Sequence, residues 1–330
     1  MKVVVIRGGR SSEHDVSLRS GASVAAGLRQ AGHEVVDLRI ERDGRWIVDG
    51  ADGADGADGA GLAVTPAAGL LGCDVAFPVL HGPFGEDGTV QGLLECLDVP
   101  YVGPGVLAAA TTIDKLTTKR LLAERGIPQV GFCQAGEEGW RERAEGLGLP
   151  VWVKPSRLGS SVGIVKVSAA DELDAAVAEA SRFDPRVIVE AHGDGQEVEC
   201  SVLGNENPEV SIPGEIVAHA DWYDFEAKYG SEGMELVIPA RIGDHAIAEV
   251  RRLAAQVFTA CDCSGLARCD FFVTPDGRVL VNEINTIPGF TATSVFGKLF
   301  EASGIPYPEL CDRLVQLALE RYERERSYEF

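Results

Sequence analysis

The sequence predicts a mixed α/β protein, with a parallel sheet near its start and more than one domain, on three observations. Apolar strand patterns alternate with helical ones through the first hundred residues, an order that implies a parallel sheet with ligands at its carboxyl edge. A chain of 330 residues is long for one core. Residues 265–294, GLARCDFFVTPDGRVLVNEINTIPGFTATS, combine period-two alternation, turn residues and carboxylates in one stretch.

Composition is that of a soluble globular chain, 45% hydrophobic and 25% charged. A formal net charge of −21 argues against nucleic acid or an anionic membrane as partner. The eight cysteines stand singly apart from Cys261 and Cys263, with no C-x-x-C pair, so reduced thiols are expected rather than zinc or a disulfide framework. MKVVVIRGG is too short an apolar run for a signal peptide, and no stretch approaches a membrane span. These features predict a cytoplasmic protein.

In chain order, residues 2–6 read as a buried strand, followed by GGRSSEHDVSL and a helix running to Ala31 and Gly32; 33–40 and 74–80 read as further strands. GGRSSEHDVSL lacks G-x-G-x-x-G, which weakens a dinucleotide reading. N–H groups at a helix start can instead hold a carboxylate. On residue type alone, Ser12 and Glu13 also read as helix caps. HGPFGEDG sets His81 and Glu86 just past a strand, where loops carry function. ADGADGADGAG at 51–61 is a tandem tripeptide, too short to be a fold repeat, and reads as a surface loop with no assigned function.

From 111 the character changes. TTIDKLTTKRLLAERGIP has helical spacing with a stop at Gly126, and Lys115 and Lys119 read by default as surface charges. LPVWVKPSRLGSSVGIVKV reads as strand, glycine- and serine-rich loop, strand, with Lys154 closing the first strand. No Walker A pattern is present; a loop of this length suits a lid over a triphosphate, with backbone N–H groups, Ser160 and Ser161 as donors. A helix is expected near 170–181, then a strand pair in VIVEAHGDGQEVECSVL carrying Glu190 and Glu197. HADWYDFEAKYGSEGMELVIPARI crowds aromatics into a loop before an apolar strand. An amphipathic helix is expected at 244–262 and a closing helix at 307–322, with ERERSYEF loose.

In the 265–294 stretch, Asp276 and Gly277 read as a two-residue hairpin turn. Counting outward pairs Asp270 with Glu283 and Arg268 with Asn285, all four on one face. Cys269, Phe271, Leu280, Asn282 and Ile284 fall on the other, mainly apolar face. Two carboxylates and a carboxamide converging on one spot repel unless a cation lies between them. Hard oxygen ligands suit magnesium carried on carboxylates and substrate phosphates. A solvated acidic face is the alternative, against which stand the paired phenylalanines and the run into Pro-Gly-Phe-Thr.

EINTIPGFT with R-x-D upstream resembles the carboxy-terminal signature of the D-alanine–D-alanine ligases, members of the ATP-grasp enzymes, and the likeness recurs along nearly the whole chain. The resemblance implies a three-domain ATP-grasp fold: an N-terminal α/β substrate domain (1–110), a central part with a nucleotide lid (111–196) and a C-terminal metal-binding part (197–330). It implies ATP-dependent ligation of two D-alanines through an acyl phosphate, for peptidoglycan precursors. ATP and two Mg2+ ions, with Mn2+ as a substitute, and a homodimer come with it.

The same resemblance assigns roles. Glu13, with Ser17 as helper, holds the first D-alanine near His81, supported by Glu86. Lys115, Lys154, Ser161, Glu190 (adenine), Glu197 (ribose), Lys228 and Asn282 hold ATP. Asp270, Glu283 and Asn285 hold metal. Glu13, Ser160, Tyr229, Arg268 and the Gly289 backbone act in catalysis, Ser294 holds the second substrate's carboxylate, and Tyr229 goes with D-alanine as that substrate. The chain departs from the family pattern at Arg7, at Ala191 and His192, and in SVFGKLF, which lacks the expected proline. The alternatives are a carboxylate–amine ligase of a specialised antibiotic or self-resistance pathway and a non-catalytic nucleotide-binding module. Glu13, Tyr229 and Ser294 speak against the first, the complete metal set against the second.

Overall fold

The run KVVVIRG forms β1 (Lys2–Gly8), with Val3, Val4, Val5 and Ile6 fully buried, as a central strand covered on both faces must be. The computed structural model describes residues 1–49, 62, 64, 69–159, 162–218, 234–291 and 293–329. The tripeptide repeat therefore lies outside the described residues. β1 pairs in parallel with β2 (Glu34–Ile40) on one side and β4 (Val75–Pro78) on the other. A short antiparallel strand, β3 (Trp46–Val48), which no sequence pattern announces, edges β2. Between β1 and β2 runs α1 (His14–Gln30), and α2 (Thr89–Cys96) follows β4. Arg7 sends its guanidinium to Asp49 at 2.8 Å and to Asp37 at 3.4 Å. Its stem lies against Gly21, where an added Cβ would stand 2.6 Å from the Arg7 Cβ.

The helix expected at 111–126 is two: α3 (Val106–Ile113) and α4 (Lys115–Glu124). Asp114 separates them in an extended conformation, its carboxylate accepting from the Thr117 N–H at 3.1 Å as an N-cap. A second, antiparallel sheet follows, in the order β5 (Phe132–Gln134), β8 (Val187–Ala191), β6 (Val151–Pro155), β7 (Val165–Val167). Two helices, α5 (Trp140–Gly146) and α6 (Leu173–Ala180), cover its apolar face.

The third sheet holds β9 (Gln196–Gly204), β10 (Glu209–Val210), β11 (Gly214–Ala218), β12 (Met234–Val237), β13 (Gly265–Val273) and β14 (Val279–Asn285). Its order is β12-β11-β9-β13-β14, with β10 beside β9. The strands of VIVEAHGDGQEVECSVL do not pair with each other, because β8 belongs to the second sheet and β9 to the third. Below the third sheet packs α7 (Gly243–Ala260), through Val250, Leu253, Ala254 and Val257.

The β13–β14 hairpin departs from the counted register twice, and the departures cancel. Its turn is one residue longer: the Thr274 N–H donates to Arg278 O at 2.9 Å and the Gly277 N–H to Thr274 O at 2.8 Å. Gly277 closes this three-residue turn at φ +83°, a conformation natural to glycine. Alone, the extra residue would slip the pairing and exchange the faces. A bulge after Asp270 restores it by leaving Asn282 without a cross-strand partner. Asp270 thus faces Glu283 and Arg268 faces Asn285, as counted. The apolar face is corrected, since Val279 and Val281 join Phe271 and Ile284 in the core while Leu280 and Asn282 do not.

Two further helices end the fold: α8 (Val295–Ala302), unforeseen, and α9 (Tyr307–Arg326), longer than expected. ERER at 323–326 is helical and anchored, Arg324 to Glu206 at 3.1 Å and Arg326 to Asp98 at 2.9 Å. On the inner side of α9, Leu310, Leu314 and Val315 share one core with Val3, Val5 and Leu28 of the first sheet and α1. Buried Arg321 donates to Gly103 O at 2.8 Å and lies 4.1 Å above the Tyr101 ring. Replacing it with alanine is expected to cost about 2 kcal/mol of stability, because a charged hydrogen bond and a cation–π contact are lost together. An unchanged urea midpoint would refute that role.

Among the described residues, no helix is long and apolar enough to cross a membrane. All eight cysteines are free thiols.

Candidate functional site

Between the first sheet, the third sheet and the loop after β6 lies a cavity of about 500 Å³. The carboxyl edge of the first sheet supplies Glu13, His81 and Glu86, and the neighbourhood of α4 supplies Lys115 and Lys119. From the third sheet come Glu197 and Glu199 on β9, Arg268 and Asp270 on β13, and Asn282, Glu283 and Asn285 on β14. Gly289, Ser294 and Lys298 close the far side. Alternation explains much of the selection: Cys200 beside Glu199, and Cys269 between Arg268 and Asp270, are in the core and do not line the cavity. The bulge at Asn282 lets this residue and its neighbour Glu283, both polar, reach the cavity together.

Arg268 is the most constrained cation of the site. Its Nε and one terminal nitrogen donate to Asp270 at 2.7 Å each, and Nε lies 2.9 Å from Glu199. Burial disfavours its charge, but Asp270 and Glu199 outweigh that and hold its pKa well above the ordinary value. Glu283 lies 3.8 Å from Lys115 Nζ, and Asn285 Oδ1 accepts from the Ile287 N–H at 3.1 Å. Among the described residues, no three His, Cys, Asp or Glu side chains could hold a metal by themselves. The oxygen donors of Asp270, Glu283 and Asn285 are of the kind a hard cation takes, its remaining ligands coming from phosphate oxygens and water.

On the opposite wall, Glu13 occupies the N-cap position of α1, yet its side chain makes no capping bond. Its carboxylate instead comes so near Gly82 (φ +72°) that an added Cβ there would stand 2.7 Å from Oε2. His81 links three parts of the fold. Its Nδ1 lies 3.1 Å from Ile287 O and its Nε2 3.2 Å from the Ser20 hydroxyl. A carbonyl can only accept, so Nδ1 carries the hydrogen and Nε2 accepts. Burial lowers the His81 pKa, opposed by Glu13, which agrees with a neutral ring. Glu86 accepts from the Gly82 N–H at 2.5 Å. Burial, then the Glu13 carboxylate, push its pKa well above the usual range.

Ser17 is not brought to the cavity. Its hydroxyl accepts from the Gly8 N–H at 2.8 Å and donates to Val79 O, tying the end of β1 to the residue after β4. Lys154 and Glu190 also lie off the cavity lining, joined at 2.7 Å, and Lys119 meets Glu190 from the other side at 2.8 Å. Burial would raise the Glu190 pKa, but the two ammonium groups outweigh it and draw the carboxyl down to about 2. Lys115 donates to Leu158 O at 2.8 Å, at the base of the expected lid. Ser160, Ser161, Lys228 and Tyr229 lie outside the described residues.

Three charged cavity residues escaped sequence reasoning. Lys119, read as a surface charge, is 3% exposed; its i+4 spacing from Lys115 was the available signal. Glu199 shares the face of Glu197, two residues earlier. Lys298 follows Ser294 by one helical turn, on a helix the sequence pattern did not reveal.

Family models match most of the chain: D-ala D-ala ligase N-terminus over residues 2–104 and D-ala D-ala ligase C-terminus over residues 121–316. A D-alanine–D-alanine ligase of Deinococcus radiodurans is 46% identical, covering 97% of this chain and 98% of that protein. One from Mycolicibacterium smegmatis is also 46% identical, over 97% of this chain and 96% of its own. The D-alanine-D-alanine ligase structure from Coxiella burnetii is similar at a TM-score of 0.88 and 35% identity, covering 99% of this chain and 96% of its own. The VanG D-Ala:D-Ser ligase from Enterococcus faecalis gives 0.85 and 32%, over 96% of this chain and 99% of its own.

Proposed function

The chain belongs to the D-alanine–D-alanine ligase family, and from that premise we propose how its cavity carries out the reaction. The protein is an ATP-dependent ligase of the ATP-grasp fold, joining two D-alanines for peptidoglycan precursors with the help of a divalent cation. Matches to ligases over nearly the full chain speak against a non-catalytic nucleotide module. The observation that carries the mechanism is the facing Asp270–Glu283 pair beside Arg268, across the cavity from Glu13 and His81.

The first D-alanine sits with its ammonium toward Glu13, where His81 and Glu86 shape the pocket. Its carboxylate oxygen bonds to the γ-phosphorus of ATP as the bond to the β-phosphate oxygen breaks, giving ADP and an acyl phosphate. The amine of the second D-alanine then bonds to the acyl carbon, phosphate leaves, and the amine gives up its proton. Little covalent work falls to the protein, so positioning and charge neutralisation carry the rate. The Arg268 fork, steadied by Asp270 and Glu199, faces the oxyanion together with the Gly289 backbone. Asp270, Glu283 and Asn285 would hold the divalent cation, which would supply charge neutralisation at the phosphates; we propose two Mg2+ ions, replaceable by Mn2+.

Lys115, Lys154, Lys228, Ser161, Glu197 and Asn282 would hold the nucleotide. Glu190 would hold adenine near the end of β8, with its carboxylate fixed by the two lysines. By the family resemblance Ser160 would belong to the lid and Tyr229 would act at the second substrate, whose carboxylate would reach Ser294, while Ser17 would steady the loop bearing Glu13.

ADP release with D-alanine, D-serine and D-lactate tests the reading: D-alanine is expected to be the preferred second substrate at neutral pH. No ADP release with D-alanine would end it. Tyr229→Phe should lower kcat/KM by roughly twofold to tenfold, the value of one hydrogen bond. Glu283→Gln should raise the Mg2+ needed for half-maximal ADP formation by about 10-fold to 100-fold. An unchanged requirement would remove Glu283 from the metal set.

We further take 1–110, 111–196 and 197–330 as the three domains, supported by the confinement of the sheets to residues 2–78, 132–191 and 196–285. The free thiols support a reducing, cytoplasmic setting. A homodimer is proposed, supported by exposed Val106 and Leu107 at the start of α3 and tested by sedimentation.

A further inference from the structure

We propose that Lys298 is the cation that receives the carboxylate of the acceptor amino acid, and so restricts the acceptor to molecules with a free carboxylate. This deepens the ligase reading and rests on it. Lys298 is half-buried on α8 and lines the cavity with Ser294, Thr291 and Gly289. It follows Ser294 by four residues, so both lie on one side of the helix. Helical side chains lean toward the helix start, which directs the Lys298 ammonium back toward Ser294 and the cavity.

Charge decides what that ammonium is for. Glu13, Glu86, Glu197, Glu199, Asp270 and Glu283 make the cavity rich in carboxylates. Each of the other described cations lining it is engaged: Arg268 by Asp270 and Glu199, Lys119 by Glu190, Lys115 by Leu158 O with Glu283 nearby. The Lys298 side chain makes no hydrogen bond or ion pair among the described residues. Ser294 cannot replace it. Its hydroxyl accepts from the Thr291 N–H at 2.9 Å and lies 2.8 Å from the Thr291 hydroxyl, leaving one neutral donor at most. An incoming carboxylate would meet net repulsion here unless a free cation took it, and a flexible lysine suits a small acceptor that must later leave as product.

The test measures initial rates of wild type, Lys298→Met and Lys298→Arg, with D-alanine as first substrate and either D-alanine or D-alaninamide as acceptor, products being resolved by mass. Lys298→Met is expected to raise the acceptor KM for D-alanine about tenfold or more and leave the KM values for ATP and the first D-alanine unchanged. Lys298→Arg should stay within about threefold of wild type, since the charge is kept. D-alaninamide should be a poor acceptor for wild type and no poorer for Lys298→Met. A wild-type acceptor KM in Lys298→Met, a shift in the ATP KM instead, or equal loss with both acceptors would overturn the proposal. If Lys298→Met melts early, the wild-type comparison decides, because equal use of D-alanine and D-alaninamide overturns it. Failure of the ligase reading is a separate result: wild type would then release no ADP with D-alanine at all.

Discussion

Arg268→Ala is expected to lower the rate of ADP formation with D-alanine by about 10²–10³-fold, the usual effect of removing a preorganised donor from a developing oxyanion. The side chain has little freedom to be replaced by water, being 18% exposed and forked onto Asp270. The loss has a second cause. Asp270 and Glu199 are direct cross-strand neighbours, and without Arg268 two like charges face each other on adjacent strands. Arg268→Lys separates the two causes. It keeps a charge but cannot bond to Asp270 with two parallel N–H groups while touching Glu199, so stability should recover further than rate. Turnover and urea midpoints of both variants give the answer. A loss below tenfold in Arg268→Ala, at an unchanged midpoint, would take Arg268 out of the chemistry.

Glu190→Gln should cost about 3–5 kcal/mol of folding stability, because removing one member of a buried ionic group leaves the others uncompensated. Here two ammonium groups, Lys119 and Lys154, would face each other across a neutral amide. The wild-type contribution depends on pH in a defined direction. The folded pKa of about 2 lies below the ordinary glutamate value of 4.5, so the unfolded chain takes up the proton first. The stabilisation is complete above about pH 4.5 and disappears as pH falls toward about 2. Denaturation of the two proteins should therefore differ most near neutrality and converge on acidification. A gap of equal size at about pH 3 and pH 7 would mean that the carboxylate charge is not what stabilises the cluster.

The hairpin illustrates how far the sequence could be read. Alternation found both strands and the four-residue polar face, while the turn and the bulge were each missed. The facing pairs were still counted correctly because two one-residue errors cancelled at Asp270. Their trace is the apolar face, where Val279 and Val281 stand in place of Leu280 and Asn282. Period-two reasoning has no means of detecting a bulge whose extra residue is polar. Lys119 was missed for a different reason. A lysine is normally at the surface, and only the approach of β8 to α4 reveals a carboxylate waiting for it. Ser17 was placed in the pocket by motif, yet its hydroxyl joins two strand ends. Helix α8 stayed hidden because FTATSVFGKLFEASG is short and glycine-interrupted, and Lys298 stayed hidden with it.

The shared core of β1, α1 and α9 sets a problem of timing for the nascent chain. Val3, Val5 and Leu28 leave the ribosome early, but Leu310, Leu314 and Ala318, which cover them, follow more than two hundred residues later. At about 5–20 residues per second, the interval is roughly 15–60 s. Throughout it the first sheet has an α-helix on one side and an incompletely covered apolar surface beside it. The early part of the chain is therefore expected to hold a loosely packed state, open to chaperones, until α9 arrives. Ribosome-stalled chains ending before 303 should be cut readily by protease within residues 1–104, and chains long enough to expose α9 should resist.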